Sequence, residues 1–124
     1  MHFDPRTQSA LRAVGLDTDE IRRASDLVAE ATDEAAADLE AFFDGGGTYY
    51  SDMDRAHSST DVQEHDVEFL DTYTHAADLR GYLRFDSWGV PVEGGRVLGD
   101  ERVELTLGPT VNGRVRFARD ADAL

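Results

Sequence analysis

Three of the four histidines, His57, His65 and His75, fall within residues 52–78, among Asp52, Asp54, Glu64, Asp66, Glu68, Asp71 and Asp78. Imidazole and carboxylate are both ligands of first-row divalent metals. If residues 61–80 form a helix, Glu64, Glu68, Asp71 and His75 stand at i, i+4, i+7 and i+11 on one face. One helix face cannot enclose an ion, so the preceding loop would have to supply His57 or Asp54. His57, Glu68, Asp71 and His75 are therefore the candidate metal ligands, and a metal-dependent enzyme built on the 52–78 cluster is the alternative function. In a chain with 26 acids, however, carboxylates fall beside histidines through composition, and a hydrated acidic surface gives the same spacing. The hydrated surface is the preferred reading. No cofactor is expected on it, with a divalent metal as the alternative.

Other chemistry is less well supported. Asp52-Met53-Asp54 has the form of a carboxylate pair that holds Mg²⁺ beside a phosphate, but no phosphate-cradling glycine loop or arginine cluster adjoins it, and a turn is preferred. Nothing around Ser58, Ser59 or Ser87 resembles a nucleophile elbow. Gly94, Gly95 and Gly99 do not follow the dinucleotide fingerprint. Arg114 and Arg116 share one side of a strand, with Arg119 close behind. With Tyr82 or Trp88 as a stacking platform they could take an anion, even single-stranded nucleic acid. The preferred reading pairs them with Glu104 and the acidic half of the chain, guarding a sheet edge.

The elements that must position these groups follow from periodicity. Asp4 before Pro5 starts a helix that should end at Gly15. Asp17 with Glu20 is a capping box. From there Ile21, Ala24, Val28, Ala31, Ala35, Leu39 and Phe42 recur at threes and fours until Gly45-Gly46-Gly47, predicting about 25 helical residues. Residues 48–60 read as a loop, with room for a short strand at Tyr49 and Tyr50. Residues 61–80 are ambiguous, and the spacing of Val67, Leu70, Tyr73 and Ala77 favours helix within 61–83. From Tyr82 onward short Val/Leu/Phe runs divided by glycines read as strands, with Glu93-Gly94-Gly95 as a hairpin turn. In the last hairpin the apolar alternation requires Leu105 opposite Val115 and Val103 opposite Phe117, which sets Glu104 against Arg116 and Thr106 against Arg114. A turn at Asn112-Gly113 would break that register, so the core pattern is expected to override it.

Composition bounds the rest. All 12 basic residues are arginine, against 17 Asp and 9 Glu, for a net charge of −14. Such a charge repels itself in dilute buffer, whereas at about 1 M salt the Debye length falls to about 3 Å and the repulsion nearly disappears. A cytosol with molar salt is the economical explanation. Residues 1–80 carry a net −13 and residues 81–124 only −1. The absence of cysteine excludes disulfides and thiolate-bound metals. No apolar run approaches a membrane span, and Met1-His2-Phe3-Asp4-Pro5-Arg6 lacks the features of a secretory signal. Cytoplasmic localisation is expected, without membrane or nucleic-acid partners, both of which the acidity would repel.

The chain resembles a family of short, uncharacterised acidic proteins of halophilic archaea. The likeness lies in Asp52-Met53-Asp54 with His57, in the run from Asp78 to Pro91, and in Leu105-Thr106-Leu107-Gly108-Pro109-Thr110-Val111. It implies lineage and compartment and transfers no catalytic residue.

The expected fold is α+β, with N-terminal helices packed on a small C-terminal antiparallel β-sheet in one domain over residues 1–124. Residues 1–47 are helical, 48–80 loop and ambiguous segment, 81–119 sheet and 120–124 tail. The expected function is a salt-adapted, cytosolic, non-enzymatic interaction or ligand-binding domain whose small-molecule ligand the sequence does not specify. Self-association as a homodimer is also expected. The small-residue stripe Ala24, Ala31, Ala35 offers a seam for it, although packing within the chain is the preferred use of those alanines.

Overall fold

Helix α1 spans Pro5–Ala13, and the Asp4 carboxylate accepts the Thr7 amide at 2.7 Å. Helix α2 spans Thr18–Phe42. At its start Asp17 accepts the Glu20 amide at 2.8 Å while Glu20 accepts the Asp17 amide at 3.1 Å, so the expected capping box is formed. Gly45, Gly46 and Gly47 follow with φ of 78°, 67° and 120°. Gly46 is also fixed by space, since a Cβ there would stand 2.6 Å from the Val67 carbonyl oxygen. The computed structural model describes residues 2–53, 62–108 and 113–124.

Six strands follow: β1 Gly47–Ser51, β2 Gln63–His75, β3 Asp78–Phe85, β4 Gly89–Gly99, β5 Arg102–Leu107 and β6 Gly113–Ala118. Each pairs antiparallel with the next, and β6 returns to β1 through Tyr50↔Ala118 and Ser51↔Phe117, closing a barrel. The chain is α+β, two N-terminal helices and a six-stranded antiparallel sheet. Ala36, Leu39 and Phe42 of α2 and Phe43, which caps it, belong to the same buried cluster as Val90, Val92, Val103, Leu105 and Phe117 of the strands. Glu40 accepts both the amide and the hydroxyl of Thr72, and Asp33 accepts the Thr74 hydroxyl. No helix among the described residues is long and apolar enough to cross a membrane.

Three expectations are corrected here. Residues 63–75 form a strand, not a helix, and the sheet begins at Gly47 instead of near residue 81. A bulge between Val67 and Phe69 explains the misleading periodicity. The extra residue shifts the alternation by one, so Val67 and Leu70 both point inward and their spacing of three imitates a helical step. The Glu93-Gly94-Gly95 turn does not exist, because β4 runs through it. Gly95 is there for closeness: a Cβ would meet Leu105 Cδ2 at 2.8 Å and Leu39 Cδ1 at 2.9 Å. The alanine stripe also changes, since Ala36 is buried while Ala31 is exposed.

The β5–β6 register is the one the apolar pattern requires. Leu105 meets Val115, Val103 meets Phe117, Glu104 meets Arg116 and Thr106 meets Arg114. Asn112 lies outside the described residues.

Candidate functional site

Of the candidate metal ligands, Glu68, Asp71 and His75 lie among the described residues, all on β2. The helical face that would have aligned them is absent. On β2 Asp71 and His75 stand on the outward side, while Glu68 sits at the bulge in an exposed 3.7 Å ion pair with Arg84. The His75 ring meets His2 edge-on, with centroids 5.8 Å apart. His57 and Asp54 lie outside the described residues. Among the described residues, no group of three or more His, Asp or Glu is placed to hold a metal ion. Asp52 is engaged elsewhere, its Oδ1 accepting the Arg116 amide at 2.8 Å.

His65 leaves this group altogether. It points into the barrel, where its Nε2 lies 2.8 Å from the Ser51 Oγ and its ring packs beside Phe85 and Phe117. Both members of the pair are buried. Ser51 escapes a sequence search for nucleophiles because it has no motif around it. Only the alternation Tyr49, Ser51 on β1, against His65, Val67 on β2, marks the two as facing one interior.

The three C-terminal arginines have three different surroundings. Arg119 caps α2: its Nη2 donates to the Phe42 carbonyl oxygen at 3.3 Å and its guanidinium lies 4.7 Å from the centroid of the Phe42 ring. A cation there suits a helix end whose last turn has no basic residue. The same carbonyl accepts the Tyr49 hydroxyl at 2.9 Å. Burial pushes the Tyr49 phenol above its ordinary pKa, and Arg119 opposes this in part.

Arg116 belongs to a cross-strand row. Glu104 on β5 stands directly opposite Arg96 on β4 and Arg116 on β6. Its carboxylate takes Arg96 Nε at 3.1 Å on one oxygen and has Arg116 Nε at 3.8 Å from the other. Glu104 is only 8% exposed, although it lies on the outward face of its strand. The expected Glu104–Arg116 pairing is present, and Arg96 flanks the acid on its other side. An acid so placed fixes the direction of both forks.

The next row is Gly94, Thr106 and Arg114. A Cβ on Gly94 would meet only the Thr106 side chain, 3.7 Å from its Oγ1. Beside this row lies a depression of about 210 Å³, lined by Gly95, Arg96, Glu104, Thr106 and Arg114. Arg114 has no carboxylate partner among the described residues. Arg96 and Arg116 thus flank one acid, and Arg114 lines the hollow beside it. Trp88 is not part of this surface: it stacks on Phe85 with ring centroids 4.4 Å apart.

Residues 1–122 match the model of DUF7532, a family of unknown function. No curated protein and no solved structure matches the chain.

Proposed function

The chain belongs to DUF7532, a family of unknown function, and from that premise we propose that it is a non-enzymatic binding domain that takes a small anion on the outward face of β4, β5 and β6. In this reading residues 1–124 act as one domain whose helices pack on the sheet and support it. The domain works in a salt-rich cytosol, as its lysine-free acidic composition suggests, and associates with itself. The carrying observation is the buried Glu104 carboxylate, which holds Arg96 and Arg116 while Arg114 faces the same hollow without an acid of its own. Two arginines and one acid line the hollow, a local surplus of positive charge on a molecule of net charge −14. The hollow is lined by two guanidinium groups, a threonine hydroxyl and the Glu104 carboxylate that Arg96 already engages, with no aromatic side chain, which leaves Arg114 to take a phosphate or carboxylate group and offers a nucleobase nothing to stack on.

Calorimetric titration with inorganic phosphate, against potassium chloride at matched ionic strength, tests the reading. Wild type should bind phosphate, and Arg114→Ala should weaken binding by about tenfold, the value of one hydrogen bond to a charged group. Arg114 is exposed, so the fold should not change. Equal heats for phosphate and chloride, or equal affinity in the variant, would overturn the reading.

A further inference from the structure

The six strands close on themselves as a barrel, and the outward face of the sheet is a surface on which a second copy can dock. Among the described residues, the large exposed apolar side chains include Phe69 at 41%, Tyr73 at 66% and Tyr82 at 40%. These three share the outward face of β2 and β3, whereas Val14, Leu27, Val62 and Val97 are distributed singly elsewhere. Isolated exposed residues need no explanation, but three aromatics on one sheet face do.

The register of that face gives it an unusual property. The outward cross-strand pairs are Phe69↔Arg84, Asp71↔Tyr82, Tyr73↔Arg80 and His75↔Asp78. Every pair joins unlike and compatible groups: an aromatic ring with a guanidinium, a carboxylate with a phenol, an imidazole with a carboxylate. A two-fold axis along the seam between β2 and β3 exchanges the two strands, so each residue of one copy lies over its own cross-strand partner in the other. Tyr73 then meets the second copy's Arg80, and Phe69 meets its Arg84, as cation–π contacts. Tyr82 leans over Gly89 of β4 and presents its ring to this contact. Across the four pairs two arginines and two aspartates cancel, and Glu68 beside Arg84 leaves the patch only weakly acidic on a strongly acidic chain. Arg80 has no ion-pair partner among the described residues and is free for such a contact. The His75 end is already flanked by His2, so the contact is centred on Asp71, Tyr73, Arg80 and Tyr82.

We infer that a second copy of this chain docks on the outward face of β2 and β3 as an isologous dimer, with the sheets aligned face to face. This deepens the self-association reading above and is separate from the anion site, which lies on β4, β5 and β6. Sedimentation velocity in molar potassium chloride should give twice the chain mass of 13.7 kDa. Tyr73→Arg sets cation against cation and should weaken the dimer by about tenfold or more. Adding Arg80→Glu to that variant should restore it, because each introduced guanidinium then faces an introduced carboxylate on the other copy. Leu27→Ser on α2 should leave it unchanged. Thermal melts followed by circular dichroism report whether each variant is folded. A single-chain mass for wild type at all concentrations would overturn both the dimer and this face. A wild-type dimer that survives Tyr73→Arg, is not restored by the double substitution, or is lost with Leu27→Ser would overturn the face and leave self-association standing.

Discussion

Helix α2 and the outward face of β4, β5 and β6 use charged residues in opposite ways. Along α2, Asp26, Glu30 and Glu34 face solvent with no partner among the described residues. The ion pair on that surface, Arg22 with Asp19 at 3.7 Å, is widely exposed and contributes at most about 1 kcal/mol, less in salt. On the sheet, one buried acid organises two arginines and a third stands beside them. The difference shows that a net charge of −14 does not describe every surface of the molecule. Asp26, Glu30 and Glu34 need only water and salt, whereas Arg96, Arg114 and Arg116 share one outward sheet face.

Salt gives the largest test of this contrast. At about 0.01 M ionic strength, with a Debye length near 30 Å, repulsion among the acids spans the molecule, whereas at about 1 M it is screened within about 3 Å. The melting temperature should rise steeply across that range, and at the lower end the chain should expand or unfold. Replacing Asp26, Glu30 and Glu34 by Asn, Gln and Gln should raise the low-salt melting temperature. Replacing Arg96, Arg114 and Arg116 by Gln should lower it. Shifts of the same sign in both variants would remove the contrast, as would equal stability of wild type at both salt concentrations.

A smaller effect sits where the two regions meet. Tyr49 donates to the Phe42 carbonyl oxygen at the end of α2, and burial raises its pKa above the ordinary 10.0. Below about pH 10 the phenol is neutral in folded and unfolded chains, and its contribution is fully present. As pH rises from there through the raised folded value, the unfolded chain ionises first and stability is lost. Tyr49→Phe should cost about 0.5–1.5 kcal/mol at neutral pH and flatten this alkaline decline. Alkaline melting curves that coincide in slope for the two proteins would contradict the assignment.

Local rules make the helix starts legible. Asp4-Pro5 and the Asp17–Glu20 box involve residues three apart or fewer, and no distant contact can rewrite them. The β5–β6 register is also readable, because burying Val103, Leu105, Val115 and Phe117 together allows one pairing. β2 is not, since the bulge at residue 68 displaces the alternation, and a three-residue apolar step has two meanings until the partner strand is known. Gly94-Gly95 misleads for a related reason: Gly95 answers to Leu39, on a helix far away in sequence. The candidate site is hidden in the same way. Arg114, Arg116 and Glu104 are visible as a group, but the hollow requires Gly95 and Arg96 from β4, and their alignment depends on register shifts within that strand. Ser51 and His65 are hidden for want of any local signal.

The most direct test of the central claim is a map of backbone amide shifts during titration with inorganic phosphate, at constant ionic strength in molar potassium chloride. Saturable changes confined to Gly95, Arg96, Glu104, Thr106 and Arg114, with α2 unmoved, are the predicted result. Changes that do not saturate, or that centre on the helices or on the outward face of β2 and β3, would contradict it.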